Sequence, residues 1–194
     1  MTPPRTKGLD EATVVAAAAR IADAEGLEAA TLSRIASELG VRPPSLYNHV
    51  ESHAALLRAV AIDSYGEFGN AIRDAAVGKA REESIRAVAV AFRGYAIEHP
   101  GRYAATVRAP ADDDEEGQDV VRQTLAPLIA VLAGWGIEGD EAIHLVRVVR
   151  SALHGFVSLE LGGGFGMPLH VDESFEVLVD SLVVAIEAQA VKAS

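Results

Sequence analysis

The chain has 194 residues, 49% of them hydrophobic, enough for one domain or two small ones with a buried core, and that argues against disorder. Without cysteine it can have no disulfide, thiolate metal site or cysteine nucleophile, and a cytoplasmic setting is expected. The formal charge of -11 speaks against a surface that binds nucleic acid throughout, yet it is uneven: residues 1–50 carry five Lys/Arg against six Asp/Glu, residues 51–194 twelve against twenty-two. A small N-terminal module stays free to bind DNA.

Ala, Leu, Glu and Arg abound, aromatics are 5%, and no stretch alternates with period two, so the chain reads as all-α with about nine helices. Asp10 caps a first helix carrying Val14, Ala18, Ile21 and Ala22 on one face and stopping near Gly26. Thr31 caps a short helix whose Leu32, Ile35, Ala36 and Leu39 recur at helical spacing and end at Gly40. Pro43-Pro44 opens a third that continues to Val50, and Ser52 caps a long fourth through Leu56, Val60, Tyr65, Phe68 and Ile72. Residues 82–98 form the next, and His99-Pro100-Gly101 breaks it before a short piece at Tyr103 to Val107. Pro110 and the acidic run Asp112 to Glu116 read as a solvated loop. Helices resume at 118–134, 139–160 and 172–191, the last two joined by a flexible connector at Gly162 to Gly166. No membrane span is expected, because Leu125 to Ile137 is broken by Pro127, Gly134 and Gly136, and Met1 to Lys7 leads into no signal-peptide core.

The informative stretch is Thr31 to Val50: a short amphipathic helix, a Gly40-Val41 turn and a second short helix, the helix-turn-helix layout. Leu46 and Val50 can pack on Ile35, Ala36 and Leu39, which leaves Ser45, Asn48 and His49 on the far side with Tyr47 at its edge. That face is made of neutral donors and acceptors, which suit base edges and phosphates. These residues resemble the TetR family of bacterial transcriptional regulators over Val15 to Leu57, in Ala24-Glu25-Gly26, Thr31, Ile35-Ala36, Gly40-Val41, Ser45-Leu46-Tyr47, His49-Val50 and Ala55-Leu56-Leu57. The resemblance implies DNA contacts from Pro44, Ser45, Tyr47, Asn48 and His49, with Thr31, Arg34, Arg42 and His53 around them. His53 stands where the family commonly has a phosphate-gripping lysine, and the Asn48 position lacks the aromatic seen in some members, so operator sequence does not transfer. A helix-turn-helix domain at 1–51 and a ligand-binding and dimerisation domain at 52–194 follow.

His99-Pro100-Gly101-Arg102-Tyr103 and Leu153 to Glu160 resemble a TetR C-terminal subgroup. What this implies is a homodimer through the last two long helices, with a ligand cavity among the middle ones. The expected interface is the apolar stripe Val146, Leu153, Val157, Phe175, Leu178, Val179, Leu182 and Ile186, and the expected cavity lining is Phe68, Phe92, Tyr95, Tyr103, Leu128 and Trp135. His154 is either a satisfied core residue or the cavity's polar anchor. The partners are thus a double-stranded operator, a second copy, and a neutral or anionic organic effector whose binding moves the fourth helix. No metal or cofactor is expected: His49 and His53 are separated by a helix break and lack a third ligand in register. Two other classes stand beside this one, a helical dimerisation module without DNA binding and an enzyme on a helical bundle, for which no nucleophile, base or Glu-x-x-His pair is in register.

Overall fold

The described residues, 9–193 of a computed structural model, form nine α-helices and one 3₁₀ turn, with no strand among them. The readings on Met1 to Lys7 lie outside them. The helices are α1 (Glu11–Glu25), α2 (Leu32–Leu39), α3 (Pro43–Leu46), α4 (His53–Ala76), α5 (Arg81–Glu98), α6 (Pro100–Ala105), α7 (Glu115–Ala133), α8 (Gly139–Leu161) and α9 (Val171–Ala193), with the 3₁₀ turn at Leu27–Ala29. The expected caps are in place. Asp10 Oδ1 accepts from Thr13 N at 2.8 Å, Thr31 Oγ1 from Arg34 N at 3.2 Å, and Ser52 Oγ from Ala55 N at 3.0 Å.

Three boundaries differ from the sequence expectation for physical reasons. The acidic run is not all loop: Asp114 accepts from Gly117 N at 2.9 Å and starts α7, with Glu115 and Glu116 at its positive end. Pro100 does not only break α5; it occupies the first turn of α6, where a missing amide is harmless. Helix α3 is regular for only four residues. Beyond it His49 N and Val50 N both donate to Leu46 O, at 2.9 and 3.0 Å, so the segment continues as an irregular turn.

The chain divides into two units, one of residues up to Ser64 together with His99–Ala109, the other of Tyr65–Glu98 and Pro110–Ser194. The first therefore does not end at residue 51, because Leu56 and Val60 of α4 and Ala105 of α6 join one apolar cluster with Val14, Ile21, Ile35 and Leu46. In it α6 lies against α1 so closely that a Cβ on Gly101 would stand 2.0 Å from Ala22 C. Asp23 secures the crossing: its Oδ1 accepts from Arg102 N at 2.8 Å, and its Oδ2 lies 3.2 Å from Arg102 Nε and 3.4 Å from His99 Nδ1.

In the second unit α5 packs on α7, α8 and α9, and α8 packs on α7 and α9. The core is Ile85, Val88 and Phe92 of α5, Leu132 of α7, Val149, Leu153 and Val157 of α8, and Phe175, Val179 and Ile186 of α9. Arg93 ties three helices together. Its Nε donates to Glu160 Oε2 at 2.8 Å, its Nη2 lies 2.7 Å from Asp172 Oδ1, and its guanidinium stands 4.8 Å from the Phe175 ring centroid. Two carboxylates hold its pKa well above the usual arginine value, the Glu160 bond contributing most. Among the described residues α8 is the one helix long and apolar enough, by length and composition alone, to cross a membrane, a property that core helices share.

Candidate nucleic-acid interface

Helix α2 ends on Gly40 in the left-handed conformation (φ +67°), which frees Gly40 N and Val41 N to donate back to α2 carbonyls, Val41 N reaching Ala36 O at 2.9 Å. A side chain at Gly40 would strain this turn. Arg42 follows in extended backbone and Pro43 begins α3. Leu46 is wholly buried and Val50 nearly so, which fixes the rotation of the segment. The consequence is a head with Tyr47, Asn48 and Pro44 exposed and Ser45 and His49 half-buried. Arg42 is exposed as well and has no carboxylate partner among the described residues. Pro44, Ser45, Tyr47, Asn48, His49 and Arg42 are thus brought to one short stretch, uncharged apart from Arg42.

Arg34 and His53 are placed differently from the expectation. Arg34 is braced across α1 and α2: its Nε donates to Glu25 Oε1 at 3.1 Å, its Nη2 to the same oxygen at 2.6 Å, and its Nη1 lies 3.3 Å from Glu38 Oε2. The hydrogen bond from Arg34 holds the Glu25 carboxyl below its ordinary range, and Glu25 raises Arg34 in return. A guanidinium so engaged holds the α2 entry rather than standing free for a phosphate. His53 donates from Nε2 to the Ala30 carbonyl at 2.9 Å and so ties the start of α4 to the 3₁₀ turn. Thr31 keeps an exposed position at the α2 N-terminus, its oxygen accepting from Arg34 N.

The residues expected to line a cavity are placed as follows. The Phe68 ring meets Phe92 edge-on and Tyr95 at a tilt, each with centroids 5.1 Å apart, and Leu128 is buried. Tyr103 belongs with α6 to the first unit and is buried there. Trp135 is half-buried beneath Arg81, and its Nε1 has no partner. His154 is half-buried with Ser158 Oγ 3.4 Å from its ring, and it does not line one groove of about 390 Å³ in the second unit. None of these seven lines that groove.

The expected dimer stripe is corrected more sharply. Val146, Leu153, Val157, Phe175, Val179, Leu182 and Ile186 are buried within their own unit and Leu178 is half-buried, because the same periodicity that suggested a surplus serves the packing on α5. A second stripe remains outside. On α8 it is Val148, Ala152, Gly155 and Leu159; on α9 it is Val177, Ser181, Val184, Ala188 and Val191. Both run at alternating four- and three-residue steps, and Val184 and Val191 are 63% and 77% exposed. Neither the Arg93 cluster nor the Asp23 clamp was legible in the sequence, since Arg93 and Glu160 are 67 residues apart and no local pattern links them.

A capped helix, a left-handed glycine turn and a short polar-faced helix on an apolar three-helix core define a helix-turn-helix DNA-binding protein. Comparison with known proteins agrees. Residues 14–60 match the family described as bacterial regulatory proteins, tetR family, and residues 85–182 the tetracyclin repressor-like C-terminal domain. The HTH-type transcriptional regulator Rv0681 of Mycobacterium tuberculosis is 39% identical over 82% of this chain and 73% of its own length. YobS of Bacillus subtilis, also named an HTH-type transcriptional regulator, is 33% identical over 78% of this chain and 79% of its own. Among solved structures, a variant TetR of Acinetobacter baumannii AYE in complex with minocycline superposes with a TM-score of 0.71 at 24% identity, over 94% of this chain and 98% of that one. The apo ActR of Streptomyces coelicolor gives 0.72 at 19%, over 97% and 100%. The chain belongs to the TetR family of bacterial transcriptional regulators.

Proposed function

We propose that this regulator is a cytoplasmic repressor which binds a palindromic operator as a homodimer and is released by a small organic effector, and that it has no enzymatic activity. The observation that carries the reading is the head at Tyr47, Asn48 and His49: polar, accessible and held in one rotation by the buried Leu46. An exposed amide such as Asn48 can pair with adenine in the major groove, at about 1–3 kcal/mol of discrimination per good base contact. The outer stripes of α8 and α9 favour pairing of two copies, which would set two heads about one helical turn of DNA apart. Release is supported by the family: the Acinetobacter neighbour was solved with minocycline and ActR with (S)-DNPA. Because α4 contributes His53–Ser64 to the first unit and Tyr65–Ala76 to the second, it is the element an effector would move, with a coupling of about 1–3 kcal/mol.

Footprinting and binding on a selected operator test this. Asn48→Ala should relax the preference at one base pair per half-site, while Tyr47→Phe should weaken binding to all sequences alike. If both substitutions leave the footprint and the base preferences unchanged, the head is misassigned.

A further inference from the structure

The second unit carries a groove of about 390 Å³ at the end of α4, the start of α5 and the last two turns of α7. Arg73, Lys79 and Arg81 stand around it. Arg73 donates to the neutral Asn70 Oδ1, and among the described residues none of the three is ion-paired with a carboxylate. In a chain of charge -11 three uncompensated cations at one groove are out of keeping with their surroundings. Arg73 and Lys79 lie where they also offset the C-terminal end of the α4 dipole, but Arg81 has no such explanation: it opens α5, where the dipole disfavours a cation. Of the two acids of that first turn, Glu82 and Glu83, the first is turned onto Arg86 at 2.8 Å.

Arg81 is also the one non-glycine residue with positive φ among the described residues, at +47°, and its guanidinium is held over the Trp135 ring at 5.6 Å. Non-glycine residues held at positive φ recur at active sites, ligand clamps and switch regions. The lining also includes the buried Ser84, 1% exposed, and the apolar Val77, Ala80, Pro127, Ala130 and Val131. A lining that combines three cations with hydrocarbon suits one kind of molecule.

We infer that this groove binds an organic anion with an apolar body, its carboxylate or phosphate head held by Lys79, Arg81 and Arg73 and its chain laid on Val77, Pro127 and Val131. The inference deepens the effector-responsive reading, and rests on it, by naming the ligand class and its place; charge-assisted hydrogen bonds supply the selection for an anion, and apolar burial the affinity that a bare ion lacks.

The chain's single tryptophan, Trp135, lies beside the groove and reports binding without DNA. Decanoate, decyl phosphate, decanol and inorganic phosphate are titrated into the full chain, with Trp135 emission and calorimetry as readouts. Both decyl anions should saturate, their ratio identifying the preferred head, and decanol and inorganic phosphate should each bind at least about tenfold more weakly. Lys79→Gln combined with Arg81→Gln should cost about tenfold for the anions and leave decanol unchanged by calorimetry; Lys79→Gln alone, in an exposed loop, should show part of the same loss. Decanol binding as tightly as decanoate, inorganic phosphate binding as tightly as decyl phosphate, or undiminished anion binding by the double variant overturns the inference. Operator affinity is measured in parallel. Saturation at Trp135 with no change at the operator supports the groove and refutes effector control through it, whereas operator release by another ligand with no response to either decyl anion refutes the groove alone.

Discussion

Replacing Gly101 by alanine sets two effects of opposite sign against each other. Helix α6 holds Gly101 in an ordinary helical conformation, and propensity alone would make alanine more stable by about 1 kcal/mol. The packing against α1 says otherwise. The added Cβ would lie 2.0 Å from Ala22 C, 2.1 Å from Ala22 O and 2.5 Å from Asp23 N, all backbone atoms that no rotamer change can move. Non-bonded carbons settle at about 3.5–4.0 Å, so the helices must part by roughly 1.5 Å. That displacement stretches the Arg102 N to Asp23 Oδ1 bond, 2.8 Å in the structure, beyond bonding distance. Overpacking costs about 1–3 kcal/mol and a charge-assisted hydrogen bond to a mostly buried carboxylate about 1.5–3 kcal/mol, which together outweigh the propensity gain several-fold. Gly101→Ala should therefore lose about 2–5 kcal/mol in urea unfolding, with hydrogen-exchange protection falling first in α6. If the variant is as stable as the parent or more so, the close crossing of α1 and α6 is wrong.

Three further outcomes follow from the same geometry. Arg93→Ala leaves Glu160 and two aromatic rings without their partner and should cost about 2–4 kcal/mol, discounted from a fully buried pair because the cluster is partly exposed; an unchanged urea midpoint would show the triad to be ornamental. Glu25 has a depressed pKa in the folded state, so its pair with Arg34 contributes fully above the ordinary carboxylate value and is lost as pH falls through the depressed one. NMR titration of α1 and α2 amides should show that acid transition, and Glu25→Gln should remove it. Val184→Glu, on the exposed face of α9, should yield folded monomers by light scattering, whereas Leu182→Glu, at a site 5% exposed, should unfold the second unit; a dimeric Val184→Glu protein would move the interface elsewhere.

What could be read from the sequence was what a few adjacent residues decide. The caps at Asp10, Thr31 and Ser52 and the left-handed stop at Gly40 each depend on side chains within three or four positions, and each expected cap is formed. The exposure of the stretch we propose reads DNA was legible for the same reason: Leu46 and Val50 face inward by spacing alone, and Asn48 faces out. Arg34 and His53 defeated this reasoning, because an arginine opposite Glu25 and an imidazole opposite the Ala30 carbonyl have partners 9 and 23 residues away. No local pattern says whether a charged group at a plausible position is free for DNA or already engaged.

The dimer stripe shows a different limit. Periodicity identifies how many faces of a helix are apolar, but not which one its own unit claims. On α9 the positions Phe175, Val179, Leu182, Val183 and Ile186 and the positions Val177, Val184 and Val191 are both helical repeats, offset by about half a turn. The first set holds Phe175, Leu182 and Ile186 beside two valines and is taken by the packing on α5 and α8; the second is all valine, with Ser181 turning its hydroxyl back onto Val177 O at 2.8 Å. Small side chains let two helices approach closely, and the Gly155 and Ala152 positions of α8 offer the same shallow profile. On the proposed pairing, such a surface would lose little in water as a monomer and gain against its own copy, since a two-fold axis sets like against like. Within α9 the buried set carries the largest side chains, Phe175, Leu182 and Ile186, while the exposed set is valine alone, and that outer face is the one we propose joins two copies.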